Sequence, residues 1–191
     1  MKPQKTNRLF CAIHARLPDE AKEMIREFRE TLTGERIRWV DPASIHLTLK
    51  FFGDTTESRQ TLIAEALGAA AGKSARFSFY LHGCGSFGTP REPRVLWIGA
   101  REITGLTRLY GEVNDSLMPL GYQPDRQTFV PHLTFARIKE IKNHTPLNTL
   151  LDTYSNTVFG ACRIESFFLY ESILRPEGPV YKTVNRWELG A

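Results

Sequence analysis

Two identical tripeptides, His46-Leu47-Thr48 and His132-Leu133-Thr134, stand 86 residues apart in a chain of 191 residues. Five histidines and 17 threonines would give about 0.4 such His-x-Thr triplets by chance. For one copy, a strand histidine satisfying a buried hydrogen bond is explanation enough. A matched second copy calls for chemistry. An imidazole titrates near pH 6.5, so of two in one site one can be neutral and take a proton while the other is charged and gives one. Two hydroxyls beside them can donate to non-bridging phosphate oxygens, the positioned-donor arrangement that stabilises a transferring phosphoryl group. Together these point to acid–base catalysis at phosphorus. Carbonyl hydrolysis fits less well: there is no Gly-x-Ser-x-Gly, and Cys84 has no identifiable base. Metal chemistry fits poorly too. There is no His-Glu-x-x-His and no Cys-x-x-Cys, neither motif holds an acidic residue, and His14, His82 and His144 could join only through tertiary placement. No metal and no cofactor are expected.

The elements that carry these residues follow from periodicity. In a strand alternate residues share a face, so His46 and Thr48 project together, with Lys50 on the same side, while Ile45, Leu47, Leu49 and Phe51 point the other way. In the second motif Leu133 and Phe135 lie behind His132 and Thr134. Around them the chain alternates strands and helices. A strand over residues 8–14 precedes a helix entered at Pro18, striped by Ala21, Met24, Ile25, Phe28 and Leu32, and stopped by Gly34. Strands follow at Ile37–Trp39 and Ile45–Phe52, separated by a turn over residues 41–44. Asp54 and Glu57 predict the start of a second helix running through Leu62, Ile63, Ala66, Leu67 and Ala70. A strand near Phe77–Leu81 closes this half. Residues 83–93, rich in Gly and Pro, lack the Lys-Ser/Thr of a P-loop and predict a surface loop. The order then recurs: a strand over 95–100, a helix through Leu106, Leu109, Val113 and Leu117 ended near Gly121, the strand at His132, a short helix at 147–151, and strands over 163–170 and 180–189. The first strand opens 38 residues before its histidine in both copies, Arg8 before His46 and Arg94 before His132. We therefore expect one domain, residues 1–191, built from two repeat-like lobes of about 1–86 and 87–191.

Composition narrows the setting. With 41% hydrophobic and 24% charged residues the chain is neither disordered nor collagen-like, and it is long enough to bury its own core. A net charge of +4, without a basic run, permits an anionic partner and locates none. The polar N-terminus is no signal peptide, and no apolar run approaches the ~20 residues of a membrane span. Cys11, Cys84 and Cys162 are widely spaced, as expected of buried small hydrophobes in a cytoplasmic protein. Without coiled-coil heptads or a long apolar surface helix, a monomer is expected.

The sequence resembles the 2H phosphoesterases, and within them the RNA 2′,3′-cyclic phosphodiesterase (2′-5′ RNA ligase) family. The matching stretches are Arg8-Leu9-Phe10, Trp39, residues 46–53, Pro93 to Trp97, Phe129 to Arg137, and Gly178 to Tyr181. The motifs proper are His46-Leu47-Thr48-Leu49 and His132-Leu133-Thr134-Phe135, where the family more often has Leu at the last position. The resemblance implies an α+β, bilobed, pseudo-two-fold fold, with two antiparallel β-sheets flanking a central cleft and helices outside. It also implies metal-free opening of a 2′,3′-cyclic phosphate at an RNA 3′ end to a 2′-phosphate. His46 would be the acid that protonates the leaving 3′ oxygen and His132 the base that activates water. Thr48 and Thr134 would hold phosphate oxygens, and Arg137 matches a family arginine suited to the same anion. In a regular strand Arg137 faces away from Thr134, and it reaches the cleft only where the strand bends or ends. Trp39, Phe51 and Phe52 are candidates to stack an RNA base. Two other functions remain open on the residues alone: a module that binds RNA ends or nucleotides without turnover, and a phosphodiesterase for a small cyclic nucleotide.

Overall fold

The computed structural model describes residues 5–124, 127–176 and 178–191. The strands are β1 (Thr6–His14), β2 (Arg36–Trp39), β3 (His46–Thr56), β4 (Phe77–Thr89), β5 (Glu92–Arg101), β6 (His132–Glu140), β7 (Val158–Ile164), β8 (Ser166–Arg175) and β9 (Gly178–Glu188). The helices are α1 (Asp19–Thr31), α2 (Glu57–Gly72), α3 (Thr104–Leu117) and α4 (His144–Tyr154), with 3₁₀ turns at Pro42–Ser44 and Met118–Leu120. The strands form two antiparallel sheets, ordered β3-β1-β8-β9 and β2-β6-β5-β4-β7. The first half of the chain lends β2 and β4 to the second sheet, and the second half lends β8 and β9 to the first. The sheets therefore do not coincide with residues 1–86 and 87–191.

The apolar faces foreseen from alternation are where the core sits. Leu47 and Leu49 of β3 are buried on the side where α2 packs, as are Ile63 and Leu67 of that helix. Behind β6, the Phe135 ring meets Phe28 of α1 edge-on at 5.3 Å and lies parallel to Trp39 at 6.5 Å. The helices thus cover the outer faces of the sheets, α1 and α4 with β7 and β4, and α2 with β3 and β9. The inner faces carry the histidine strands, and β3 and β6 approach one another. No described helix is long and apolar enough to cross a membrane. All three cysteines are buried free thiols, and burial pushes Cys84 up to about 12.

Three expectations need correction. The second helix begins at Glu57 with Thr56 as its cap residue, and Asp54 is still in β3, so no capping box forms. The single strand expected over 163–170 is broken at Glu165, with β7 in one sheet and β8 in the other. The expected loop over 83–93 is the tip of a long β4–β5 hairpin. Its glycines serve a strand. Gly83 (φ +64°) falls where the register skips a residue between His82 and Cys84, a bulge that favours glycine. A Cβ on Gly83 would lie 2.4 Å from the Ser155 carbonyl oxygen, and one on Gly85 would lie 2.4 Å from the Trp97 ring packed across it. Glycine spacing alone does not separate a loop from a bulged strand with close approaches.

Gly83→Ala should therefore lose roughly 1–3 kcal/mol in urea unfolding, since both its φ and its space exclude a methyl group. Gly72→Ala, at a helix end with nothing within 4 Å, should leave stability unchanged or raise it slightly.

Candidate active site

Each histidine is the first residue of its strand and is fixed by the segment just before it. The Asp41 carboxylate accepts from the Ala43 N–H at 2.9 Å, closing the short turn that ends at Ser44. The Ser44 carbonyl then accepts from His46 Nδ1 at 2.8 Å. In the second copy the Val130 carbonyl accepts from His132 Nδ1, also at 2.8 Å. A carbonyl oxygen can only accept, so both Nδ1 atoms carry hydrogen, and in the neutral rings Nε2 is left as the proton acceptor. Each ring also meets an aromatic edge-on: His46 meets Tyr181 at 4.9 Å and 87°, and His132 meets Phe87 at 4.8 Å and 89°. The backbone bond and the edge contact together restrict each imidazole to one orientation.

Both histidines and both threonines line one cleft of about 560 Å³ between the sheets, with Arg137, Arg8, Phe51 and Tyr181. Arg137 arrives there by a break in strand parity. Against β5, Trp97 faces Thr134 and Leu96 faces Ala136, so Phe135 is the extra residue of a bulge. Phe135 and Ala136 are then both buried, and Arg137 turns out on the Thr134 side. The first motif does the same one repeat earlier. Ala12 faces Thr48 and Cys11 faces Lys50, so Leu49 is the extra residue. The consequence for Lys50 is opposite to expectation. Its side chain leaves the His46 face and is 5% exposed, with Nζ donating to the Gln123 carbonyl at 2.7 Å. Phe51, expected behind the strand, is 67% exposed and lines the cleft. Position 51 corresponds to 137 in the repeat, so the pseudo-dyad pairs an aromatic ring with a guanidinium.

Of the three aromatics considered for base stacking, only Phe51 borders the cleft. Trp39 packs on Phe135 beneath Arg29, and Phe52 meets Tyr122 edge-on at 5.2 Å. Three cleft residues escaped the sequence reading as site residues. Arg8 and Tyr181 sat inside segments that carried the resemblance, and their strand parity was the signal for them. Phe87 lay in the stretch taken for a loop. Gly85 lets Trp97 lie across β4; Trp97 in turn stacks near Phe87 at 5.3 Å, and Phe87 meets His132.

Charge is concentrated where the histidines point. Burial holds His46 below its ordinary value, only partly opposed by its bond to Ser44, and electrostatic coupling to Arg137, His14 and His132 pushes the same way as burial. Burial raises Tyr181, against the pull of Arg137 and Arg8. No ion pair neutralises Arg8 or Arg137 among the described residues. Among the described residues the cleft therefore presents donors and positive charge without a carboxylate in its lining. Among the described residues no three of His, Cys, Asp or Glu converge as a metal-holding group.

A model of the LigT-like phosphoesterase family matches the chain twice, end to end, over residues 13–97 and 98–181. The chain belongs to that family. It is 34% identical to an RNA 2′,3′-cyclic phosphodiesterase of Archaeoglobus fulgidus over 95% of this chain and 99% of that protein. It is 32% identical to one of Methanocaldococcus jannaschii over 94% and 99%. Among solved structures, a protein of Thermus thermophilus superposes with a TM-score of 0.76 at 29% identity, covering 95% and 97% of the two chains. Escherichia coli LigT complexed with 3′-AMP superposes with a TM-score of 0.72 at 25% identity, covering 96% and 98%. These neighbours share the α+β architecture of two antiparallel sheets.

The lowered His46 value has a consequence for stability. Between that value and about 6.5, the unfolded chain binds the proton that folded His46 resists, so stability rises with pH across this window and its contribution is level above it. Acidification from about pH 7.5 to about pH 5 should lower the melting temperature of the wild type more than that of His46→Asn. Equal losses in thermal scans of the two proteins would contradict it.

Proposed function

We propose that this protein is an RNA 2′,3′-cyclic phosphodiesterase that adds water across the P–O3′ bond of a cyclic end, leaving a 2′-phosphate and a 3′-hydroxyl. The observation that carries the proposal is the pair of Nδ1-anchored imidazoles, each with a hydroxyl on the same strand face, opening into one positively charged cleft. The names of the relatives support the substrate class. His132 Nε2 takes a proton from the attacking water, and His46 Nε2 gives one to the departing 3′ oxygen. These two assignments come from the family resemblance. The Thr48 and Thr134 hydroxyls and the Arg137 guanidinium donate to the non-bridging oxygens as charge develops on them.

Burial and the nearby Arg137 guanidinium disfavour a charged His46. A bound phosphate brings the opposite charge and favours the imidazolium, so the acid becomes charged when there is a substrate to protonate. One turnover leaves His46 neutral and His132 protonated, and exchange with solvent restores both. With an RNA 5′-hydroxyl in place of water as the nucleophile, the same opening of the P–O3′ bond joins two ends through a 2′-5′ linkage and leaves a 3′-hydroxyl. Three buried free thiols suit the reducing cytoplasm as the compartment.

On an RNA oligomer ending in a 2′,3′-cyclic phosphate, His46→Ala and His132→Ala should each lower kcat by about 10²- to 10⁴-fold with folding intact. The wild type should show a bell-shaped pH profile and no loss with EDTA. Full activity in either variant, or a rate abolished by chelation, would overturn the mechanism. Tight binding of the cyclic end without any 2′-phosphate product would make the protein an RNA-end binder.

A further inference from the structure

Beyond the cleft, β6 carries positive charge away from the histidines. Past the bulge at Phe135, Arg137 faces the cleft, and Lys139, the extra residue where β6 slips against β2 between Ile37 and Arg36, is exposed beyond it, with Ile138 buried between them. On the neighbouring edge strand, Arg38 of β2 stands directly opposite Arg137, so its side chain projects from the same face. Its guanidinium is held in place by donating to the Pro176 carbonyl at 3.2 Å, across the gap to the β8–β9 end of the other sheet. Arg38 and Lys139 both border a shallow hollow of about 370 Å³. The nearby acids are already engaged. Glu140 accepts from Arg36 at 3.0 Å, and Glu35 accepts from the backbone N–H groups of Lys142 and Asn143 at 2.8 and 3.2 Å. Lys139 has no ion pair among the described residues.

Thr134 and Lys139 are separated by about 15 Å at the rise of a strand. That is further than one nucleotide extends from its own 3′ phosphate. A mononucleotide in the cleft would leave Lys139 unused, whereas a strand continuing in the 5′ direction would lay successive phosphates along the cations. We propose that Arg38 and Lys139 form a backbone track for the RNA upstream of the reacting nucleotide, making the enzyme selective for oligomers over mononucleotides. This rests on the phosphodiesterase reading and adds the strand's path to it. The track meets phosphates only, so it carries no base preference.

The test compares an RNA oligomer of about six nucleotides ending in a 2′,3′-cyclic phosphate with 2′,3′-cyclic AMP, for the wild type, Lys139→Ala and the Arg38→Ala/Lys139→Ala double variant. The double variant should lose about tenfold in kcat/KM on the oligomer at low salt, with the mononucleotide unchanged. Its log–log salt dependence on the oligomer should be shallower by about 1.4, two single-strand phosphate contacts' worth. Lys139→Ala, which breaks no contact with the β8–β9 end, should give part of the same loss. Equal losses on both substrates, or no change in oligomer rate and salt slope, would overturn the track. A wild type that opens neither substrate would instead overturn the phosphodiesterase reading.

Discussion

The make-up of the cleft depends on one extra residue just after each histidine motif. Strict alternation would place His, Thr and the next even position on one face and nothing else. The bulges at Leu49 and Phe135 shift the phase by one, so that positions 51 and 137 reach the cleft and positions 50 and 136 drop into the interior. A bulge also sharpens the local twist, and twisted strands let two sheets face each other around a hollow. Because both bulges fall at the same place in the repeat, the two sheets present matched sets of groups. What differs between the sets is the side chain each bulge delivers, a ring from one and a guanidinium from the other.

That asymmetry gives polarity to a site whose histidines are held almost identically. Both Nδ1 atoms are satisfied by a carbonyl two residues back, and both rings meet an aromatic edge. The environment beyond these contacts separates them. His46 is packed against Phe10 and Tyr181 and senses the Arg137 charge, and burial lowers its proton affinity.

Much of this was legible in the residues. Period-two alternation located the histidine strands and their apolar backs, and helical stripes located α1 and α3 close to their observed spans. The resemblance supplied the two-sheet cleft. The errors at the cleft share one physical origin: a bulge leaves no mark in the hydrophobic pattern until the partner strand is known. Alternation puts Lys50 on the wrong face and Phe51 in the core and leaves Arg137 undecided, all because of the one phase shift just after each histidine motif. The hairpin over 77–101 was missed because its glycines, which accommodate bulges and the Trp97 ring, have the composition of a loop. Sheet membership was beyond reach for another reason. Antiparallel pairing between strands as distant as β1 and β8 is decided by tertiary packing, to which local sequence is blind.

The exchange of strands between the two halves also bears on how the chain comes together. In the first sheet β1 is flanked by β3, about 40 residues away, and by β8, about 160 residues away. During synthesis the first sheet remains incomplete, with one long side of β1 unpaired, until β8 has left the ribosome. Contacts of such sequence separation carry a large loop-closure cost before they yield any stabilisation, which favours slow, late assembly over independent folding of each repeat. The same separation welds the halves together once they have formed, so the two histidines owe their common cleft to strands that neither half possesses alone.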